Sequence, residues 1–205
     1  GTMRGTHLAG RDNGRRTRMN PDQALVEAVL RRTPGAFENL MREYQGLCWH
    51  IVLRMVRQPD DARELCQETF LRVYRHLDQY RGESPLKSWI GRIAYSLALR
   101  HLQRQRRPTG AEIAQDDAQV LPEDEADTFD LEAAYAGHEA ARRLQASLDA
   151  LPPLQRTLLT LYHLDDLGIP EIAQITGLPD GTIKSHLFRS RLRLREALQS
   201  SDGNP

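Results

Sequence analysis

Cysteine is scarce in this 205-residue chain: only Cys48 and Cys66 occur, and neither belongs to a Cys/Cys or Cys/His grouping with zinc-ligand spacing. Both lie among apolar residues of helical segments, so they read as buried free thiols. Long hydrophobic runs are missing too. No apolar stretch approaches the roughly 18 residues that a membrane-spanning helix needs, so no membrane insertion is expected. The first 19 residues are rich in Gly, Arg and Thr rather than apolar, unlike a secretory signal. A cytoplasmic protein is expected. Strand-like alternation and internal repeats are lacking, which points to an all-α chain. The carboxylates and histidines form no metal-ligand set and no His-centred triad, so neither catalysis, metal nor cofactor is expected.

Net charge is also absent, with 28 basic residues against 28 acidic ones, but its distribution is uneven. Between Pro108 and His138 stand nine carboxylates, from Glu112 to Glu132, with no Lys or Arg. Without that strip the chain carries 28 basic residues against 19 acidic ones. Two basic blocks joined by an acidic strip suggest a polyanionic partner that the total charge conceals.

What is present is helical periodicity, organised in four stretches. Residues 1–19 read as a disordered basic tail, in which Met3 and Met19 both stand as candidate starts. Residues 20–107 are helical throughout. Asn20-Pro21 opens the first helix, Phe37, Leu40, Met41 and Tyr44 mark a second, and Pro59-Asp60-Asp61 stops that one and caps the next. There Ala62, Leu65, Cys66, Thr69, Phe70, Val73, Tyr74 and Leu77 form an apolar stripe held for several turns. Arg63, Glu64, Gln67, Glu68 and Arg72 lie opposite. After a loop from Tyr80 to Pro85, another long helix ends in a basic run stopped by Pro108. Residues 108–138 form an acidic, flexible linker. Helices resume over residues 139–200, where Leu154, Leu158, Leu159, Leu161 and Tyr162 make an apolar surface.

Near the C-terminus, Pro170 starts a short helix that Gly177 ends through a positive φ. Pro179-Asp180-Gly181-Thr182 then opens a longer one with Ile183, Leu187, Leu194 and Leu198 internal. Short helix, glycine turn and longer helix describe a helix-turn-helix. The outward face of the second helix is expected to present Thr182, Lys184, Ser185, His186, Arg189 and Arg193. These donors suit phosphates and guanine edges in a major groove.

The segments Asp61–Phe70, Tyr80-Arg-Gly-Glu83 and Ser88–Ala94, with the arginines that follow, resemble the promoter-opening domain of the extracytoplasmic-function sigma factors of the sigma-70 family. Gly181–Ser185 resembles that family's second domain. The likeness spans Ala24–Arg107 and Leu144–Leu198, in the family's order. It implies two small helical domains, sigma region 2 as a helical bundle and sigma region 4 as a helix-turn-helix, that together carry RNA polymerase to promoters. By position, Glu64, Gln67 and Glu68 would contact the clamp helices of the polymerase β′ subunit. The loop Tyr80–Lys87, with Arg81, Gly82 and Lys87, would capture a flipped-out base of the −10 element, the stacking and hydrogen bonds there offsetting the cost of extrusion. Arg92, Ser96, Arg100, Arg104 and Arg107 would hold the −10 strand, and binding would be salt-dependent. Thr182, Lys184, Ser185, His186, Arg189 and Arg193 would read the −35 element, and the Leu154–Tyr162 surface would cover the polymerase β flap. The linker would thread channels that otherwise hold nucleic acid. An anti-sigma factor is the implied regulator, competing for the same apolar patches. Three positions depart from the family pattern: Ser96 replaces a frequent asparagine, His186 a frequent arginine and Arg100 a common acid. They bear on the promoter sequence more than on the function.

A regulator of the LuxR type shares a similar recognition helix around Thr182–His186. It would need a sensor or receiver domain, normally with strands and a phosphoacceptor aspartate, and the first 107 residues offer none. A scaffold that binds only protein fits the basic faces poorly.

Overall fold

Proline and glycine set the boundaries of the helices. The computed structural model describes residues 21–105 and 138–202, so the tail expected over 1–19, Arg107 and nearly all of the linker expected over 108–138 lie outside the described residues. Pro21 opens α1 (Pro21–Leu30), where a missing N–H costs nothing. Gly35, at φ 78°, turns the chain into α2 (Ala36–Val56), and Arg57 in the left-handed region ends it by returning its N–H to Leu53 O. Pro59 then opens α3 (Pro59–His76), preceded by Gln58, whose side chain makes no cap. The capping role expected for Asp60-Asp61 is therefore not filled; Asp61 instead meets His101 at 3.2 Å. A 3-10 turn (Leu77–Gln79) and a loop lead to α4 (Leu86–Gln105).

The second half comprises α5 (His138–Ala150), α6 (Pro153–His163), α7 (Ile169–Thr176) and α8 (Asp180–Asp202). Gly177, at φ 76°, ends α7 and returns its N–H to Ala173 O, the left-handed C-cap that glycine adopts without a Cβ penalty. Among the described residues there are eight α-helices and no strand.

Helix α2 is the axis of the molecule. It packs on α3 and α4 to build the first core, with Leu40, Ile51, Val52, Val73, Leu86 and Ile90 almost fully buried. The core continues into the last four helices through Leu144, Leu158, Ile172, Ile183, Leu187 and Leu194. It is continuous because α6 lies along α2 and α7 along α4. At the α4–α7 crossing Gly91 leaves so little room that an added Cβ would sit 3.0 Å from the Ile175 side chain.

This contact changes one expectation, and packing within the first half changes another. The leucine-rich face of α6 is not open: Leu158, Leu159 and Leu161 are buried, because leucines at helical spacing gain about 1.5–3 kcal/mol each by leaving water. In α3 the stripe is interrupted by Tyr74, which is 54% exposed and packs its ring edge on Phe37, 5.0 Å between centroids.

Candidate polymerase and nucleic-acid interface

Three surfaces carry the residues singled out from the sequence. The first is the outer face of α3. Glu64 and Gln67 are exposed and Glu68 is half-buried, as residues opposite a helical apolar stripe should be. Arg72 donates its Nε to Glu68 Oε1 at 2.6 Å. That bond, with the charges of Arg72 and Arg75, holds the Glu68 carboxyl below its usual range. Between α2 and α3 opens a groove of about 810 Å³ lined by Phe37, Met41, Trp49, Cys66, Gln67 and Phe70. Apolar walls with Gln67 and Arg63 at the rim make a surface fitted to a protein partner.

The second surface is the loop before α4 and the outer side of that helix. The loop is closed on itself: Tyr80 donates its hydroxyl to Ser84 O at 2.7 Å and sets its ring against Trp89, 5.6 Å between centroids. Burial, with the charge of Asp22, raises the Tyr80 phenol, which stays protonated. Arg81 and Gly82 are exposed at the tip, and Gly82 takes φ 73°. Further along, Ser96 donates to Ile93 O (3.1 Å) and Arg100 to Ser96 O (3.2 Å). Arg100 and Arg104 face solvent. Lys87, half-buried, and Arg92, exposed, are both bonded to α7. Lys87 pairs with Glu171 Oε1 at 2.5 Å, and Arg92 donates its Nε to Gln174 O at 2.8 Å.

The third surface is α8. Lys184 and Arg193 are exposed and Thr182 and Arg189 half-buried. Ser185 and His186 correct the expectation of an outward face, since both are buried, at 7% and 6% exposure. His186 lies three residues from Ile183 and four from Ser190, on the face turned to the core. Over the Ser185 turn lies Arg189, folded back so that its Nε approaches Ser185 O at 3.4 Å. Arg193 reaches Gln155 Oε1 at 2.9 Å.

Residues 40–108 match the profile described as Sigma-70 region 2, and residues 141–194 match Sigma-70, region 4. The RNA polymerase sigma-H factor of Pseudomonas aeruginosa is 35% identical over 181 residues, 87% of this chain and 94% of that protein. The ECF RNA polymerase sigma-E factor of Haemophilus influenzae is 33% identical over 183 residues, 87% of this chain and 95% of its own length. The chain belongs to the extracytoplasmic-function sigma factors of the sigma-70 family. The LuxR-type alternative is not supported: both halves match sigma regions, in the sigma order. Two solved structures share the fold. CnrH, solved with the cytosolic domain of CnrY, has a TM-score of 0.61 at 20% identity, covering 88% of this chain and 99% of that one. The sigma factor RpoE of Bartonella quintana, solved with the anti-sigma factor NepR, has a TM-score of 0.60 at 23% identity, covering 80% and 98%.

This sigma factor binds core RNA polymerase, recognises −35 and −10 promoter elements and promotes DNA melting. Its two regions also hold each other through residues that sequence reasoning missed. Arg156, 1% exposed, crosses from α6 to donate its Nε to Arg54 O at 2.7 Å, while its Nη1 serves Asp149 O and Leu151 O. His50 Nδ1 lies 2.8 Å from Asp165 Oδ1. Glu171 divides its carboxylate between Lys87 and the Gly168 N–H at 3.0 Å. Burial raises the Glu171 pKa, but the Lys87 and Gly168 bonds outweigh it and leave the carboxyl below its usual range. No local pattern announces the partners that cross between the halves, because Arg156 and Arg54, His50 and Asp165, and Lys87 and Glu171 are each separated by tens of residues. An arginine inside the leucine-rich Leu154–Tyr162 stretch was the one visible hint. Among the described residues no helix is long and apolar enough to cross a membrane.

Proposed function

We propose that the sigma factor divides its work among the three surfaces. Residues 20–107 form the unit that docks on polymerase and handles the −10 element, and residues 139–200 the unit that reads the −35 element. Glu64, Gln67 and Glu68 contact the β′ clamp helices beside the α2–α3 groove. The Tyr80–Lys87 loop takes a flipped base, with Arg92, Ser96, Arg100 and Arg104 along the displaced strand. Thr182, Lys184, Arg189 and Arg193 read the −35 duplex, with Ser185 and His186 buried beneath them, and the apolar face of α6 covers the β flap. The sigma factor acts in the cytoplasm by binding alone, with no catalytic centre of its own.

The observation that carries this reading is how Lys87 and Arg92 are used. Both belong to the −10 set, and both are held by the helix-turn-helix, at Glu171 and at Gln174 O. Ser185 and His186 of the −35 set are buried on the side of α8 that packs on the helices of its own half. The described arrangement is the closed, inactive form, and promoter binding requires α6 and α7 to leave α2 and α4. An anti-sigma factor would act on the surfaces that this separation exposes; the Bartonella RpoE similar in fold was solved with such a protein.

Run-off transcription with core polymerase on a panel of promoter fragments tests the assignment. A transcript should depend on the protein and fall at least tenfold when Gln67 and Glu68 become alanine, the size of effect expected when an interface centre is truncated. A double variant that assembles with core and transcribes like the parent would sink the placement on α3.

A further inference from the structure

We infer that Asp22 is a positioning residue for the −10 loop, its carboxylate tying α1 to the first backbone N–H of α4 and so fixing the Tyr80–Pro85 segment from its far end. The inference rests on the reading of that loop as the base-capturing element.

The tip of the loop is not held by packing. Arg81, Gly82 and Glu83 are exposed, Gly82 sits at φ 73°, and no apolar side chain at the tip reaches a core. Its geometry must therefore be set at its two ends. At the near end Tyr80 N–H returns to Leu77 O at 3.1 Å, and the Tyr80 hydroxyl closes onto Ser84 O. At the far end stands Leu86, the first residue of α4, whose side chain is fully buried. The Ser88 and Trp89 N–H groups turn back to Pro85 O at 3.0 and 3.1 Å. The Leu86 N–H is one of the donors that a helix start leaves unsatisfied. It is taken by Asp22 Oδ2 at 2.8 Å, from 64 residues earlier in the chain.

The other oxygen of Asp22 secures the anchor. Asp22 Oδ1 accepts the Tyr44 hydroxyl at 3.1 Å, which joins the carboxylate to the central helix α2. Burial and the Asp22 charge push the Tyr44 phenol well above its ordinary value, so it remains a donor. A carboxylate at the start of a 20-residue helix is favoured by the helix dipole as well. Helix α1 also packs on the 3-10 turn at Leu77–Gln79. The same short helix thus touches both ends of the loop, and Asp22 is its bond to the end that leads into α4.

The test uses holoenzyme on a promoter carrying a fluorescent base analogue in the −10 element, and a second template abasic at the captured base. Parent protein should open the intact template in preference to the abasic one. Asp22→Ala should lose that preference by about tenfold, the equivalent of one charge-assisted hydrogen bond, while core assembly and −35 duplex affinity stay at the parent level. Asp22→Asn keeps a neutral acceptor and should fall between the two, and it carries the test if the alanine variant is poorly folded. Unchanged preference in both variants overturns the inference, as does an equal loss of preference, core assembly and −35 affinity, which would mark a purely structural residue. No preference in the parent itself overturns the loop reading instead.

Discussion

An arginine removed from water keeps its charge only when other acceptors replace the solvent it lost. Arg156 finds three backbone carbonyls, one of them, Arg54 O, on the far side of the interface between the two halves. Burial, reinforced by Arg57 and Arg54 and opposed by Asp149, lowers its pKa to about 10, so it is still protonated at neutral pH. Replacing it by methionine keeps the volume and strands the carbonyls, and should cost about 3 kcal/mol. The urea midpoint should drop with little change in slope; an unchanged midpoint would mean that the carbonyls find water. Glu171 acts at the same scale. Its folded pKa is depressed, so the stability it lends is present above the ordinary carboxylate value of about 4.3 and is lost as pH falls through the folded value. Acidification below about pH 4 should release Lys87 from Glu171, seen as a falling energy-transfer signal between dyes on α4 and α7. Glu171→Gln should remove that pH-dependent component.

At the scale of elements, the crossing of α4 and α7 decides whether the halves stay together. Gly91 permits the close approach, with Ile175 at 3.0 Å and Ile51 at 3.4 Å from where a Cβ would stand. Two effects oppose each other in Gly91→Leu. Leucine favours the helix by about 0.8–1 kcal/mol over glycine, but its side chain meets atoms already in contact, and overpacking costs typically about 1–3 kcal/mol. The first effect strengthens α4 alone, and the second acts on the contact with α7. Helix content should therefore hold while scattering shows a larger radius of gyration. A variant as compact as the parent would show that Ile175 simply moves aside. The helix-turn-helix itself should be unaffected, because Gly177 and the Ile172/Ile183/Leu187 core lie within the second half.

For the whole molecule the proposed closed form would withhold affinity from DNA. If the closed form is favoured by about 2 kcal/mol, only a few per cent of free protein is competent, and apparent affinity is reduced by roughly thirtyfold. Combining Glu171→Gln with Gly91→Leu should raise binding of a −35 duplex by free protein by about tenfold, read by fluorescence anisotropy. The salt dependence of that binding should steepen as Lys184, Arg189 and Arg193 engage phosphates. No gain in affinity would mean that α8 binds DNA equally well in the closed form.

Much of this protein was written locally. Pro21, Pro59 and Gly177 act on their own backbone neighbours, so these helix boundaries and the helix-turn-helix could be read in advance. Exposed Glu64 and Gln67 follow from periodicity alone, because a helix with one apolar stripe must turn its other face outward. The family could be read as well, since its motifs are contiguous. What the sequence did not determine is which surfaces meet. Lys87 with Glu171, Arg92 with Gln174, Asp22 with Leu86 and Arg156 with Arg54 join residues far apart in the chain. Such pairs depend on how helices cross. Ser185 and His186, polar residues on a helix expected to face DNA, are buried instead by the way α8 packs on the helices of its own half. Local patterning assigns a side chain to a face, but only tertiary packing decides what that face is pressed against.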